Sequence, residues 1–422
     1  MKSRDYVLMN IYWFGLAFMW NGVHPIILPA ILLRFVPDAL KNTYLGAMNF
    51  VGLILAMVVQ PLAGALSDRT RSPWGRRRPW ILGGVLVSLA LLGGMTLAQG
   101  YWSLFLAYAL LQIASNTAHG PAQGLIPDLV PQERRGLASG IKNLFDMGGM
   151  VVASFVTGML MGQDDPTRAF LLICGVLLVA TIITLVGTRE EPTTREVTNQ
   201  NLSVESAAGP SLREVLRVDL RRHPDFARLV ASRFMILLGI YIVQAFAQYF
   251  IRDVLRVPNP AEVTGNLFAA IGLALTALVF PAGILSDRFG CKPLNLFAGG
   301  LAALGLLLIA FARSVTTLLL FGGIVGMATG IFVSVNWALA TDLIPADEAA
   351  KYLGLTNIAT AGSGAIARLA GPLIDGLNAL RPGAYLGYPV LFVVSSACTL
   401  VGTLMLTRIR VPAHTNKRIV GT

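Results

Sequence analysis

The chain has 422 residues, of which 55% are hydrophobic and only 13% charged, with a mean hydropathy of +0.66. A soluble domain carries about 25% charged residues, so this composition excludes a soluble globular enzyme: too little polar surface remains to solvate one. The net charge of +11 would suggest nucleic acid in a soluble protein, but here the basic residues gather on loops between apolar runs. The expected partner is a lipid bilayer, not nucleic acid.

Apolar runs of about 20 residues, enough to cross a hydrocarbon core about 30 Å thick, are predicted at 7–33, 43–66, 79–99, 103–126, 138–161 and 168–187. A second set follows at 227–250, 263–285, 292–312, 315–340, 352–377 and 385–407. The expected fold is an all-α membrane protein with twelve transmembrane helices in two pseudo-symmetric six-helix halves. The halves are residues 1–187 and 227–422, joined by a cytoplasmic linker at 188–226. In that linker Leu212, Val215, Leu216 and Leu220 alternate with Arg213, Arg217, Arg221 and Arg222. Two readings fit: an amphipathic basic helix on an anionic leaflet, or a solvated linker helix.

The first run is too long for the apolar region of a signal peptide and lacks a small-residue cleavage site, so it reads as an uncleaved span. Most of the 33 Lys and Arg fall on loops that are cytoplasmic if the N-terminus is, which by the positive-inside rule places both termini in the cytoplasm. Short loops and the lack of a targeting segment suggest a plasma or inner cell membrane. Cys174, Cys291 and Cys398 are far apart and suggest neither a disulfide framework nor a metal site. A phosphate-binding G-x-x-x-x-G-K-[ST] loop and a clustered catalytic constellation are both missing. An enzyme, a cofactor and a metal are therefore not expected, and a monomer is.

The two sets of spans repeat in sequence. Residues 61–69 read PLAGALSDR and residues 280–288 read FPAGILSDR. Asp128-Leu129-Val130-Pro131 recurs as Asp342-Leu343-Ile344-Pro345, with Gly140 matching Gly354 and Asn143 matching Asn357. Gly64 and Gly283, one turn before each Ser-Asp-Arg, suit close helix approach. Asp68, Arg69, Arg76, Arg77, Arg78 and Asp128, with Asp287, Arg288 and Asp342 in the second half, are candidate cytoplasmic gate residues. Membrane topology alone is the other reading of these charges. Two such halves are the architecture expected of a major facilitator transporter.

Residues 59–81, VQPLAGALSDRTRSPWGRRRPWI, closely resemble the signature of sucrose–proton symporters and other glycoside–cation symporters. Gln60, Pro61, Gly64, Ser67, Asp68, Arg69, Ser72, Gly75, Arg76, Arg77, Arg78 and Pro79 match that pattern. In span four, ASNTAHGPAQGLIPDL from Ala114 to Leu129 matches the same family at Asn116, Gly120, Pro121, Asp128 and Leu129. The resemblance implies a transporter that imports a sugar by alternating access, with a proton as the coupling cation. The family's proton-accepting acid in span four is replaced here by Gln112, its arginine by Gln123 and a glutamine by His119.

Polar groups inside a membrane are costly unless they face partners or water, so each is a functional candidate. Gln112, Asn116, His119 and Gln123 lie on one stripe of span four, at about 100° per residue. Ser139, Asn143 and Asp146 form a stripe on span five, and Tyr241, Gln244 and Gln248 one on span seven. Amides, a tyrosine and tryptophans suit a hydroxylated solute, although interhelical hydrogen bonding explains amides equally well. The candidate solute-binding set is Asn21, Gln112, Asn116, His119, Gln123, Asn143, Tyr241, Gln244, Gln248 and Arg368.

Asp146 lies roughly eight residues into span five, about 12 Å from its cytoplasmic end, with Lys142 one turn earlier. It is the expected proton-coupling residue together with His119, unless Lys142 and Asp146 form a structural ion pair. Arg368 and Asp375, seven residues apart in span eleven, suggest an extracellular gate or a binding-site cation. His24, beside Pro25 and near Pro29, marks a break or a kink in span one. The competing functions are efflux of a lipophilic solute on the same fold and a non-transporting sensor or assembly factor.

Overall fold

The computed structural model describes residues 3–163, 166–188, 190, 223–344 and 349–410, and every regular element among them is helical. Span one is α1 (Ser3–Gly22), a π-helical turn (Val23–Ile27) and α2 (Leu28–Leu32). Spans two to six are α3 (Lys41–Asp68), α4 (Arg78–Thr96), α5 (Tyr101–Leu129), α6 (Arg135–Gly162) and α7 (Pro166–Gly187). Spans seven to ten are α8 (Pro224–Asp253), α9 (Pro260–Phe289), α10 (Cys291–Ala310) and α11 (Val315–Leu343). Span eleven comprises α12 (Ala349–Arg368) and α13 (Gly371–Leu380), and span twelve is α14 (Gly387–Thr407). The linker segment from Leu212 to Arg222 lies outside the described residues.

Ten of these spans are long and apolar enough to cross a membrane by length and composition. The other two are α5, whose polar stripe lowers its mean hydropathy, and the divided span eleven. Large apolar side chains such as Leu62, Phe280 and Leu320 are exposed, as lipid-facing positions require.

Two prolines alter the expected spans. In span one Pro25 has no N–H to give, and the helix widens there instead of breaking: the Leu28 N–H reaches back five residues to the Val23 carbonyl. In span eleven Pro372 cannot donate to the Arg368 carbonyl, and the chain passes through a short turn in which Leu369 and Ala370 bond back three residues. Arg368 and Asp375 thus belong to two separate helices, so their seven-residue spacing does not set them on one continuous helix face.

The chain forms two compact units, Met1–Lys41 with Ala47–Ala207, and Asn42–Gly46 with Ala208–Thr422. In the first, α1 packs on α6 and α7, and α4 on α5 and α7. In the second, α8 packs on α12 and α14, and α10 on α11 and α14. Counted within each half, the first span meets the fifth and sixth, and the third meets the fourth and sixth. The duplication read from the Ser-Asp-Arg repeat is thus repeated in the packing.

The close approach of α3 and α5 falls at a different glycine from the one the repeat suggested. A Cβ on Gly120 would strike the Gln60 carbonyl and lie 3.0 Å from the Gly64 nitrogen, whereas a Cβ on Gly64 would have 3.9 Å to its nearest neighbour. Gly283 is similarly unconfined, with Ser334 Oγ at 3.6 Å.

Candidate functional site

An apolar helix that carries amides must satisfy them within the protein, and α5 does so through its neighbours. Gln112 is 2% exposed and Asn116 4%. Gln112 Nε2 donates to the Tyr108 hydroxyl at 2.8 Å, and that hydroxyl donates to Asn49 Oδ1 of α3 at 2.9 Å. His24 Nε2, from the π turn of span one, lies 2.9 Å from the same hydroxyl and 3.0 Å from Gln112 Nε2. The Trp20 ring stacks on His24 with centroids 4.4 Å apart and planes inclined by 14°. Asn116 Nδ2 donates to the Gln112 carbonyl at 2.8 Å. Three spans thereby converge on one polar cluster of an imidazole, a phenol and three amides, backed by an indole.

The rest of the α5 stripe belongs to a second group. Gln123 Nε2 lies 3.1 Å from His119 Nε2, and His119 meets the Trp13 ring edge-on at 5.2 Å. Lys142 Nζ sits 4.0 Å from the centroid of that ring, a cation–π contact rather than an ion pair with Asp146. Asp146 is half-buried on α6, one turn beyond Lys142. Asn21 donates to the Ala17 carbonyl of its own helix at 2.8 Å, and Asn143 is exposed. Neither joins a cluster with the α5 residues.

In the second unit, α8 carries Tyr241, Gln244 and Gln248 as the spacing predicts. The Arg368 guanidinium lies 6.0 Å from the centre of the Tyr241 ring, and its Nη1 donates to the Gly364 carbonyl at 2.9 Å. Gln248 is buried, and its Oε1 meets no donor among the described residues. Asp375 accepts from Asn42 Nδ2 at 2.8 Å, from the Thr43 backbone N–H at 2.7 Å and from Thr43 Oγ1 at 2.6 Å. Arg233, which the stripe argument passed over, donates from Nη1 to Asn336 Oδ1 at 2.6 Å and from Nε to Thr360 Oγ1 at 2.9 Å.

The charged turn after α3 is built around Arg77, which is 6% exposed. Its Nη2 lies 2.5 Å from Asp68 Oδ1, its Nε 2.9 Å from Asp128 Oδ2, and its Nη1 2.5 Å from Ser67 Oγ. Arg76 grips the same Asp128 through both Nη2, at 2.6 Å, and Nε, at 3.2 Å. Arg78 donates to the Leu185 carbonyl at the end of α7. Gly75 takes φ +93°, a left-handed conformation open to glycine, and Glu190 Oε2 accepts the Arg77 backbone N–H at 2.9 Å. Burial pushes the Glu190 carboxyl above its ordinary range, against the opposing pull of the Arg77 N–H and the neighbouring arginines. Arg69 and Asp68 are exposed at the end of α3.

The second Ser-Asp-Arg turn repeats the serine bond of the first. Ser286 Oγ donates to the Gly283 carbonyl at 2.7 Å, as Ser67 Oγ does to Gly64 at 2.7 Å. Asp287, Arg288 and Asp342 are exposed. Lys292 takes the bridging role, donating to the Thr407 and Ile409 carbonyls at 2.8 and 2.7 Å.

Several residues of these clusters lie outside the predicted binding and gate sets, among them His24, Asn49, Tyr108, Trp20, Arg233 and Glu190. Tyr108 was within reach, lying one turn before Gln112 on the same face of α5. Arg233 was too, as an ionisable side chain inside an apolar run.

The family model described as Major Facilitator Superfamily matches residues 8–367 and 259–421. The chain is 22% identical over 405 residues to the multi-drug resistance efflux pump PmrA of Streptococcus pneumoniae, covering 94% of both chains. It is 25% identical over 413 residues to the lactose permease of Lactobacillus helveticus, covering 92% of this chain and 60% of the permease. Sucrose transport protein SUT1 of Oryza sativa is 36% identical over 124 residues, 24% of this chain and 23% of that protein. Among solved structures, a bacterial homologue of the human lysosomal transporter Spinster aligns with TM-score 0.75 at 16% identity, covering 97% of this chain and 98% of its own.

Proposed function

This chain belongs to the Major Facilitator Superfamily, and on that premise we propose that it imports a sugar or similar hydroxylated solute across the cell membrane by proton-coupled alternating access. Both termini are cytoplasmic in this reading. The observation that carries it is the polar cluster of His24, Asn49, Tyr108 and Gln112 backed by Trp20. A sugar hydroxyl both donates and accepts, and so do amides, a phenol and an imidazole. An indole face complements the C–H face of a sugar ring.

Asn116 shares hydrogen bonds with that cluster and belongs to the same binding set. Asn21, His119, Gln123 and Asn143 are further candidates in the first unit, and Tyr241, Gln244, Gln248 and Arg368 in the second. The family resemblance and the relatives named as lactose and sucrose transporters support the same solute class. For coupling we assign Asp146 with His119, because Gln112 cannot titrate and Lys142 is occupied with Trp13. The Asp68, Arg76, Arg77 and Asp128 cluster, with Arg69, Arg78 and the second-half charges Asp287, Arg288 and Asp342, is assigned to the cytoplasmic gate.

The test is uptake of labelled sugars into proteoliposomes under an imposed pH gradient, with wild type and Asp146→Asn side by side. Wild type should accumulate the sugar, and Asp146→Asn should only equilibrate it. Accumulation by the variant at the wild-type level would remove Asp146 from coupling. A second reading, efflux, is favoured by the end-to-end match to PmrA. Outward pumping of a lipophilic dye with no sugar counterflow would select it.

A further inference from the structure

Arg233 is 8% exposed and lies nine residues into α8, roughly 14 Å along the helix at 1.5 Å per residue. A guanidinium held there loses its hydration, and such a charge ordinarily finds a carboxylate. Arg233 has none among the described residues. Its two hydrogen bonds go to neutral oxygens, Asn336 Oδ1 of α11 and Thr360 Oγ1 of α12. The Thr360 hydroxyl donates its own hydrogen to the Thr356 carbonyl at 3.0 Å, so it can only accept from Arg233. These bonds fix the guanidinium through Nε and Nη1.

A donor beside it is unsatisfied. Asn336 is fully buried, and its Nδ2 meets no acceptor among the described residues. A buried donor without an acceptor among the described residues thus sits beside a guanidinium that carries a full positive charge. Helix-to-helix adhesion does not account for this, because a glutamine could make two neutral hydrogen bonds without burying a charge. On α8, Arg233 falls within an arc of about 80° that also holds Tyr241, Gln244 and Gln248, at about 100° per residue. It therefore belongs to the stripe already assigned to solute binding.

We propose that Arg233 and Asn336 receive a carboxylate of the transported solute, which makes the solute class a sugar acid rather than a neutral sugar. A planar carboxylate matches the guanidinium fork and has a second oxygen available for the Asn336 amide. The inference rests on the hydroxylated-solute reading above and narrows it to a hydroxylated solute that also carries an acid.

The test measures binding and counterflow on the full-length protein. The ligands are glucuronate, galacturonate and gluconate, set against glucose and galactose, for wild type, Arg233→Gln and Arg233→Lys. Wild type should prefer at least one acid over its parent sugar by tenfold or more. Arg233→Gln should weaken that acid by about 10- to 100-fold, as expected for losing a charge-assisted hydrogen bond, and by more than it weakens the parent sugar, so that the acid preference is lost. Arg233→Lys should retain part of the preference. Equal binding of acids and sugars by wild type, or a preference that survives Arg233→Gln, overturns the proposal and leaves the sugar reading standing. Binding of neither class overturns both.

Discussion

Replacing Arg77 by Gln tests the construction of the charged turn. The guanidinium is 6% exposed and uses all three of its nitrogens. Its bond to Asp128 and its bond to Ser67 are the shielded ones, worth about 1.5–3 kcal/mol each because one partner is charged. The pair with Asp68 counts for less: that carboxylate is 42% exposed, and water screens it to about 1 kcal/mol or below. Arg76 stays on Asp128 after the change, so the carboxylate is not stranded and the total falls toward the lower end. Arg77→Gln should therefore destabilise the protein by roughly 3–5 kcal/mol, within the range for breaking a buried ion pair. Thermal unfolding in detergent should register this as a fall on the order of 10 °C. Arg77→Lys should recover less than half, because a single ammonium cannot occupy three separated donor positions. Unfolding of both variants at the wild-type temperature would refute the reasoning, as would full recovery by lysine.

Glu190 titrates from a raised value, so its proton-bound form is the one the folded state favours. The associated stabilisation is complete below the ordinary carboxylate range and is lost as pH rises through the folded value. The stability of wild type relative to Glu190→Gln should therefore decline as pH rises above the ordinary carboxylate range, read from unfolding temperatures at matched salt; a flat difference contradicts the assignment. Tyr108→Phe removes the hydroxyl shared by Asn49, Gln112 and His24, which should cost about 1–3 kcal/mol of stability and weaken sugar counterflow, and unchanged counterflow would take Tyr108 out of the site. Gly120→Val should lower stability by about 1–3 kcal/mol by forcing α5 away from α3, whereas Gly64→Ala, whose Cβ would meet the Gly120 backbone at an ordinary contact distance of 3.9 Å, should unfold at the wild-type temperature.

The membrane spans were legible because hydropathy is a local property: a run of apolar residues reports its own burial. The duplication was legible because PLAGALSDR and FPAGILSDR sit at corresponding places. Partners are not local. No pattern in the sequence ties Glu190, beyond the end of α7, to the Arg77 backbone N–H, since the bond depends on how α4 and α7 pack. Periodicity put Gln112, Asn116, His119 and Gln123 on one stripe, but it could not show that the stripe divides, the first two joining Tyr108 and His24 and the last two turning toward Trp13. The proline positions were visible, while their consequences were not: Pro25 widens a turn and Pro372 separates two helices.

Arg233 shows where the sequence reading should have gone further. An ionisable residue within an apolar run is a candidate by the same rule that selected Asp146, but a position near the start of span seven also fits a basic helix end that sets topology. The two roles make different demands. A topological arginine needs only water or headgroups, and its charge stays solvated. Arg233 is buried and spends two donors on neutral side chains from two other helices, an arrangement that fixes its orientation without neutralising it. Fixing the orientation of a charge is useful where a specific anion must be received, since less freedom is then lost on binding. Charge count and depth along the helix do not separate these roles; the partners of the guanidinium do.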